Sequence, residues 1–125
     1  DVVITANTLM TLTATHNDGI VPLGKLTLTA KTGVYITDSM TANAVAKPLV
    51  INADSDGSGS SGTLTVANGM TVTSNNDDVT ITAWDVDLDG SLPAGTEAAT
   101  YTIVRRNPPP ADEFVPGKGL KVFRR

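Results

Sequence analysis

The stretch LTLTAKTGVYITDS, residues 26–39, decides the fold class, because apolar residues alternate with threonines and other polar residues along both of its halves. Alternation with a period of two is typical of a strand with one buried and one exposed face. Leu26 and Leu28 fall on the buried face, and the threonines between them, which are β-branched and polar, suit the outer one. Ala30 then marks a bend before the second strand. The stretch therefore predicts two short strands joined at a corner.

The same two-strand unit recurs along the chain. Two clear copies and two looser ones are LTVANGMTVTS at 64–74, VTITAWDVDLDGS at 79–91, VITANTLMTLTA at 3–14 and PLVINADSDG at 48–57. In the clear copies Ala67 and Ala83 take the place of Ala30, and the inward positions are Leu64, Val66, Val79 and Ile81. Internal repetition is the signature of a solenoid, whereas the strands of a sandwich or barrel do not copy one another. The repeats favour an all-β parallel β-helix, or β-solenoid, over residues 1–104.

Composition supports strands and excludes several classes of protein. The chain has 125 residues, enough for one domain with a real core, and it contains no cysteine, so packing and backbone ladders must hold it together. No apolar run is long enough to span a membrane. The one weak helical stretch, residues 38–47, has no sustained apolar stripe and is interpreted as an extended loop.

Charge is divided unevenly along the chain. Residues 1–104 carry three lysines and eleven carboxylates, a net charge of −8, while residues 105–125 carry six basic and two acidic residues, a net charge of +4. An acidic body argues against nucleic acid, whose binding depends on clustered Lys and Arg. The basic tail could instead meet the acidic body of another copy.

The tail, residues 105–125, breaks the repeat pattern. RRNPPPADEFVPGKG is rich in proline, which donates no ladder hydrogen bonds, and predicts an extended segment, followed by LKVFRR as a short isolated strand. We expect the tail to dock on a neighbouring copy through apolar and basic side chains. These are Arg105, Arg106, Phe114, Val115, Leu120, Lys121, Val122, Phe123, Arg124 and Arg125.

The stretch ITAWDVDLDGSLPAGT at 81–96 resembles the repeats of filamentous-haemagglutinin-type proteins, in which an Ile-Thr-Ala strand leads into an Asp-rich turn and a small corner. The resemblance extends over about residues 2–104. It implies a secreted, right-handed parallel β-helix of a surface fibre or adhesin. The basic, Pro-rich tail has no counterpart in those repeats, which leaves a role at a fibre end or in assembly open.

Three aspartates, Asp85, Asp87 and Asp89, followed by Gly90, begin like a calcium-binding loop with carboxylates at alternate positions. The twelfth position of such a loop would be Thr96, which cannot supply the bidentate carboxylate. The alternative interpretation is a solvated row on the outer face of a strand. Asp54, Asp56 and Gly57 form a second, shorter acidic turn of the same kind.

Residues suited to catalysis are few. His16 is the one histidine and lies in a turn-like THNDG stretch, and the adjacent Asp77 and Asp78 would face opposite sides of a strand, which is unsuited to paired-carboxylate chemistry. Trp84, beside the bend after Ala83, either stacks on a sugar or covers the corner.

These observations predict a non-enzymatic, extracellular structural or adhesive protein that needs no cofactor and assembles head to tail with copies of itself. Two alternatives remain: a carbohydrate-binding adhesin module of a longer chain, which would contact surface glycans, and a β-helix enzyme acting on polysaccharides. The last would need a groove of clustered carboxylates and cations on one wall.

Overall fold

The computed structural model describes residues 1–15, 19–41, 48–73, 77–92, 101–106 and 120–124, with the backbone alone described for Tyr101 and for 120–124. These residues form strands and turns, and none of them belongs to a helix that could cross a membrane. The strands, in chain order, are β1 (Val2–Ala6), β2 (Leu9–Leu12), β3 (Leu26–Ala30), β4 (Gly33–Ile36), β5 (Met40–Thr41), β6 (Leu49–Asn52), β7 (Thr63–Val66), β8 (Val72–Thr73), β9 (Val79–Ala83), β10 (Asp85–Leu88), β11 (Tyr101–Arg105) and β12 (Leu120–Arg124).

The strands make three sheets in which every pair is parallel. The first sheet has the order β1-β3-β6-β9-β11-β12, the second β10-β7-β4-β2, and the third β5-β8. Single bridges from Ile20 to Met40 and from Thr71 to Ser91 extend the third sheet on both sides. From β3 to β10 the chain visits the first, second and third sheets in turn and then returns to the first. The prediction of an all-β fold with parallel strands is confirmed.

Register in the first sheet shows how long each pass of the chain is. Val2, Leu26, Leu49, Val79 and Tyr101 stand side by side, so successive passes take 24, 23, 30 and 22 residues. The long pass contains the Gly- and Ser-rich segment 54–62, which follows the corner after β6 and precedes β7. The three-sheet pattern therefore tolerates an insertion at a corner without losing register.

The core lies between the sheets and is made of the inward residues of each strand. In β3 the residues alternate between buried and half-buried, with Leu28 and Ala30 fully inaccessible to solvent. The inward positions predicted in β7 and β9 are also buried, as are Val34 and Ile36 of β4. Among the residues whose side chains are described, the buried apolar ones are aliphatic or Met, and their alternation along the strands is the one that a period of two predicts.

The phase of the repeats differs from the sequence-based alignment. Stretch 64–74 begins in the second sheet, because Leu64 stands beside Val34 and Val86. The true counterpart of β3 and β9 is β6, and Ala53 after it takes the position that Ala67 was expected to hold. The LTV motif lies in the strand that follows the corner, as β4 and β10 do, so its local likeness to LTL of β3 was misleading.

The terminal strand is paired, contrary to the expectation of an isolated strand. β12 lies parallel to β11, with Leu120 opposite Tyr101 and Arg124 opposite Arg105. Pairing satisfies backbone donors and acceptors that an isolated strand would leave to water. The Pro-rich stretch 107–119 lies outside the described residues.

Candidate functional site

An apolar cavity of about 320 Å³ opens at the end of the sheets where β1 lies. Its wall consists of aliphatic residues from β1, β2 and the segment that leads into β3. The lining residues are Val2, Ile4, Leu12, Ile20, Val21, Pro22, Leu23, Gly24, Lys25 and Leu26. We call this surface the end face. Segment 20–25 has no alternating pattern, and for that reason a cavity there could not be predicted from the sequence.

Exposure of the end face follows from the position of β1 at the edge of its sheet. Val2 and Ile4 stand opposite Leu26 and Leu28 and so point to the same side, yet they are 54% and 44% exposed while Leu28 is inaccessible. Among the described strands, β1 has a neighbour on one side only, and so has β2 in the second sheet. The end face thus combines exposed core-type side chains with the unpaired edges of two parallel strands.

A buried arginine occupies the corner of the first sheet at the other end. Ala6, Ala30 and Ala83 stand in one column of the sheet, and Arg105 takes the next place in that column. Its side chain is 4% exposed, and its Nε lies 2.7 Å from Oδ1 of Asp85. The ion pair joins β11 to the start of β10, the strand that follows the corner.

A second ion pair fixes the long segment 54–62. Nη1 of Arg106 donates to Oδ2 of Asp54 at 3.0 Å and to the Asp54 carbonyl oxygen at 3.3 Å. Asp54 is fully buried, and its Oδ1 has no hydrogen-bond partner among the described residues. Gly62, at a φ of +107°, comes so close that a Cβ there would lie 2.5 Å from Cβ of Asp54. The two ends of the segment therefore meet beside Arg106.

The first two residues of the tail have ion-pair partners within their own chain, and their expected contact with another copy stays a prediction. Arg105 and Arg106 were expected to meet carboxylates of another copy, but each pairs with a carboxylate of its own chain. Residues 120–124, also expected at that interface, lie in β12 against β11. Phe114, Val115 and Arg125 fall outside the described residues.

The acidic row on β10 is not gathered into a cation site. Asp85 pairs with Arg105, whereas Asp87 and Asp89 are exposed. In the part of the chain that the structure describes, no three His, Cys, Asp or Glu side chains come close enough to share a metal ion. Asp56 uses its Oδ1 to accept the amide of Ser58 at 3.1 Å, so the second acidic turn is an Asx-type turn beside a buried ion pair.

Of the residues considered for catalysis or sugar stacking, the structure describes Asp77, Asp78 and Trp84. His16 lies outside the described residues, and Oδ1 of Asp77 accepts the amide of Asp78 at 2.7 Å just before β9. Trp84 is half-buried at the corner after β9, where its amide donates to the Gly62 carbonyl oxygen at 3.0 Å and its ring lies beside Gly59. Trp84 thus covers the 54–62 segment.

Comparison with known proteins gives no relative: the chain matches no protein-family model, no curated protein sequence and no solved structure.

Proposed function

We propose that this chain is a non-enzymatic structural or adhesive module of an extracellular surface fibre, built as a right-handed parallel β-helix whose ends stack head to tail. The likeness of residues 81–96 to filamentous-haemagglutinin-type repeats supports the choice of a secreted fibre. Right-handedness is supported by the strong preference of crossovers between parallel strands for that hand. Three parallel sheets visited in order by successive passes agree with such a helix.

The observation that carries the proposal is the end face. Its exposed aliphatic side chains match the core positions of the next pass, and the outer edges of β1 and β2 are paired with no described strand. Unpaired parallel edges accept a further strand, and an added pass would bury Val2 and Ile4 as fully as Leu26 and Leu28. A heterologous contact of this kind repeats without closing and so produces a filament.

Two lysine substitutions on one strand test the proposal. Ile4 points to the cavity and Val3 points outward with 68% exposure, so Ile4→Lys places a charge in the contact and Val3→Lys places it beside the contact. Sedimentation velocity over a range of concentrations, with electron microscopy, measures assembly. We expect the unmodified chain and Val3→Lys to form growing oligomers and Ile4→Lys to remain monomeric. A monomeric unmodified chain, or equal loss in both variants, would contradict the proposal.

A further inference from the structure

The turn that joins β7 to the third sheet is longer than the equivalent turns of the passes on either side. Register across the second and third sheets gives this corner two residues, 37–38, in the pass before and two, 89–90, in the pass after, whereas this turn has four, 67–70. The Met70 amide donates to the Ala67 carbonyl oxygen at 3.0 Å and closes a β-turn. The additional length therefore forms a small protrusion with Asn68 and Gly69 at its apex.

The base of this turn is packed, whereas its apex is open. Gly90 of the next pass lies against the base, where an added Cβ would be 2.7 Å from the Ala67 carbonyl oxygen. Asn68 and Gly69 are exposed, and a Cβ added to Gly69 would meet no atom within 4 Å. Among the described residues, none forms a hydrogen bond with the side chain of Asn68 or with the amide of Gly69. Both groups are therefore open to water and to each other.

An asparagine followed by glycine reacts with its own backbone. The Gly69 amide nitrogen loses its proton to base and attacks Cγ of Asn68, a C–N bond forms, and ammonia leaves with the returned proton. Water then adds to either carbonyl of the resulting succinimide ring and reopens it to aspartate or isoaspartate. The reaction consumes one water, releases one ammonia and transfers no electrons. A side chain on the second residue hinders the attack, and Gly69, at a φ of +76°, has none.

The other two asparagines in the described part of the chain are less suited to this reaction. Asn7 is exposed at a corner, but Thr8 follows it, and a β-branched side chain crowds the attacking nitrogen. Asn52 is half-buried in β6, and its Oδ1 accepts the amide of Asp54 at 3.2 Å. The nitrogen that would attack Asn52 is the Ala53 amide, which donates to a carbonyl oxygen of the next pass at 2.8 Å. These two residues serve as internal references.

We infer that Asn68 is a site of spontaneous deamidation, at which the folded chain acquires aspartate or isoaspartate. The product adds one negative charge to a chain of formal net charge −4, in a turn whose two neighbours already contain Asp38 and Asp89. The extra backbone carbon of isoaspartate falls at the open apex, so the strands on either side keep their pairing. The site lies apart from the end face, and the inference does not depend on assembly.

Incubation of the full, folded chain at mildly alkaline pH tests the site, with samples taken over time for peptide mapping by mass spectrometry. Enzymatic methylation of isoaspartate gives an independent readout on the same peptides. We expect Asn68 to convert at least tenfold faster than Asn7 and Asn52, and its peptide to accept the methyl label. Conversion of Asn68 no faster than that of Asn7, or conversion only when urea unfolds the chain, would overturn the inference.

Three variants separate the contributions of sequence and fold. Thr8→Gly gives the exposed Asn7 the same successor as Asn68, and we expect it to raise the conversion rate of Asn7 at least tenfold. Asn68→Gln lengthens the side chain, which disfavours ring closure, and should remove the label from its peptide. Asn68→Asp carries one of the products and should unfold at the same temperature as the unmodified chain. Label retained in Asn68→Gln, or a clearly lower unfolding temperature of Asn68→Asp, would contradict the inference.

Discussion

Two adjacent arginines at the end of β11 form ion pairs with carboxylates of their own chain. Arg105 stands in a column of alanines at a corner, where its long side chain reaches Asp85, and Arg106 reaches back to Asp54. Charged residues are seldom buried unless they are paired, so a sequence reading naturally places both in an exposed tail. The alternation in YTIVR places Arg105 on the inward side. Alternation alone does not reveal that the carboxylate of Asp85 lies within reach of its side chain.

We expect Arg106→Gln to lower the free energy of unfolding by about 2 kcal/mol, because it leaves the fully buried carboxylate of Asp54 without its cation. The value is below that of a wholly buried pair because Arg106 is 28% exposed. Urea denaturation measures the change. Adding Asp54→Asn should restore part of the loss, since the buried charge is then removed.

The control for this substitution is Lys31→Gln, which removes an exposed positive charge and should change stability by less than about 0.5 kcal/mol. Equal effects of Arg106→Gln and Lys31→Gln would show that the Asp54 ion pair contributes little.

At the scale of strands and corners, each pass needs only a short corner between the first and second sheets. Two residues, Lys31 and Thr32, connect the corner Ala30 to β4, whereas nine residues, 54–62, follow the equivalent Ala53. Asp54 and Gly62 lie almost in contact, so the seven residues between them form a protruding loop. The corner itself is complete without that loop.

Deletion of residues 55–61 should therefore leave the fold intact and give the third pass 23 residues. Closing a shorter loop costs less conformational entropy, which stabilises the folded chain by about 1 kcal/mol. Loss of the hydrogen bond from the Ser55 amide to the Ala30 carbonyl oxygen, 2.9 Å long, offsets part of that gain. Thermal unfolding with circular dichroism measures the outcome. A non-cooperative transition would show that the loop is required.

The sequence predicted strands and inward residues well, because period-two alternation and burial express the same constraint. Leu26, Leu28 and Ile81 are buried as expected. It predicted poorly which sheet each repeated strand belongs to. LTV at 64–66 and LTL at 26–28 have the same alternation but belong to different sheets. The shared terminal alanine of LVINA, LTLTA and VTITA could have corrected the alignment. A solenoid places its first pass at an end, but the cavity of the end face could not be predicted, because segment 20–25 that lines it has no repeat pattern.

At the scale of the whole molecule, each pass is stabilised mainly by the passes on either side of it. β6 lies between β3 and β9, whereas β1 pairs with β3 alone among the described strands. In such a linear arrangement stability is approximately a sum over neighbouring contacts, so the end pass opens most easily. The end face therefore belongs to one of the two ends of the described chain that open most easily, and it is the part where our proposal places assembly.

Amide hydrogen exchange distinguishes the low stability of the end face from its proposed role in assembly. Val2 donates its amide to the Lys25 carbonyl oxygen at 2.9 Å, so in a parallel strand the alternate amides, those of Val3 and Thr5, point to the outer edge of β1. In dilute, dissociated protein we expect these two amides to exchange rapidly while the amide of Ile51 in β6 is protected. In assembled protein a stacked neighbour accepts them, and their protection should rise at least a hundredfold while that of Ile51 stays unchanged. Assembly without protection of Val3 and Thr5 would mean that copies associate through another surface, even if Ile4→Lys also weakens the association.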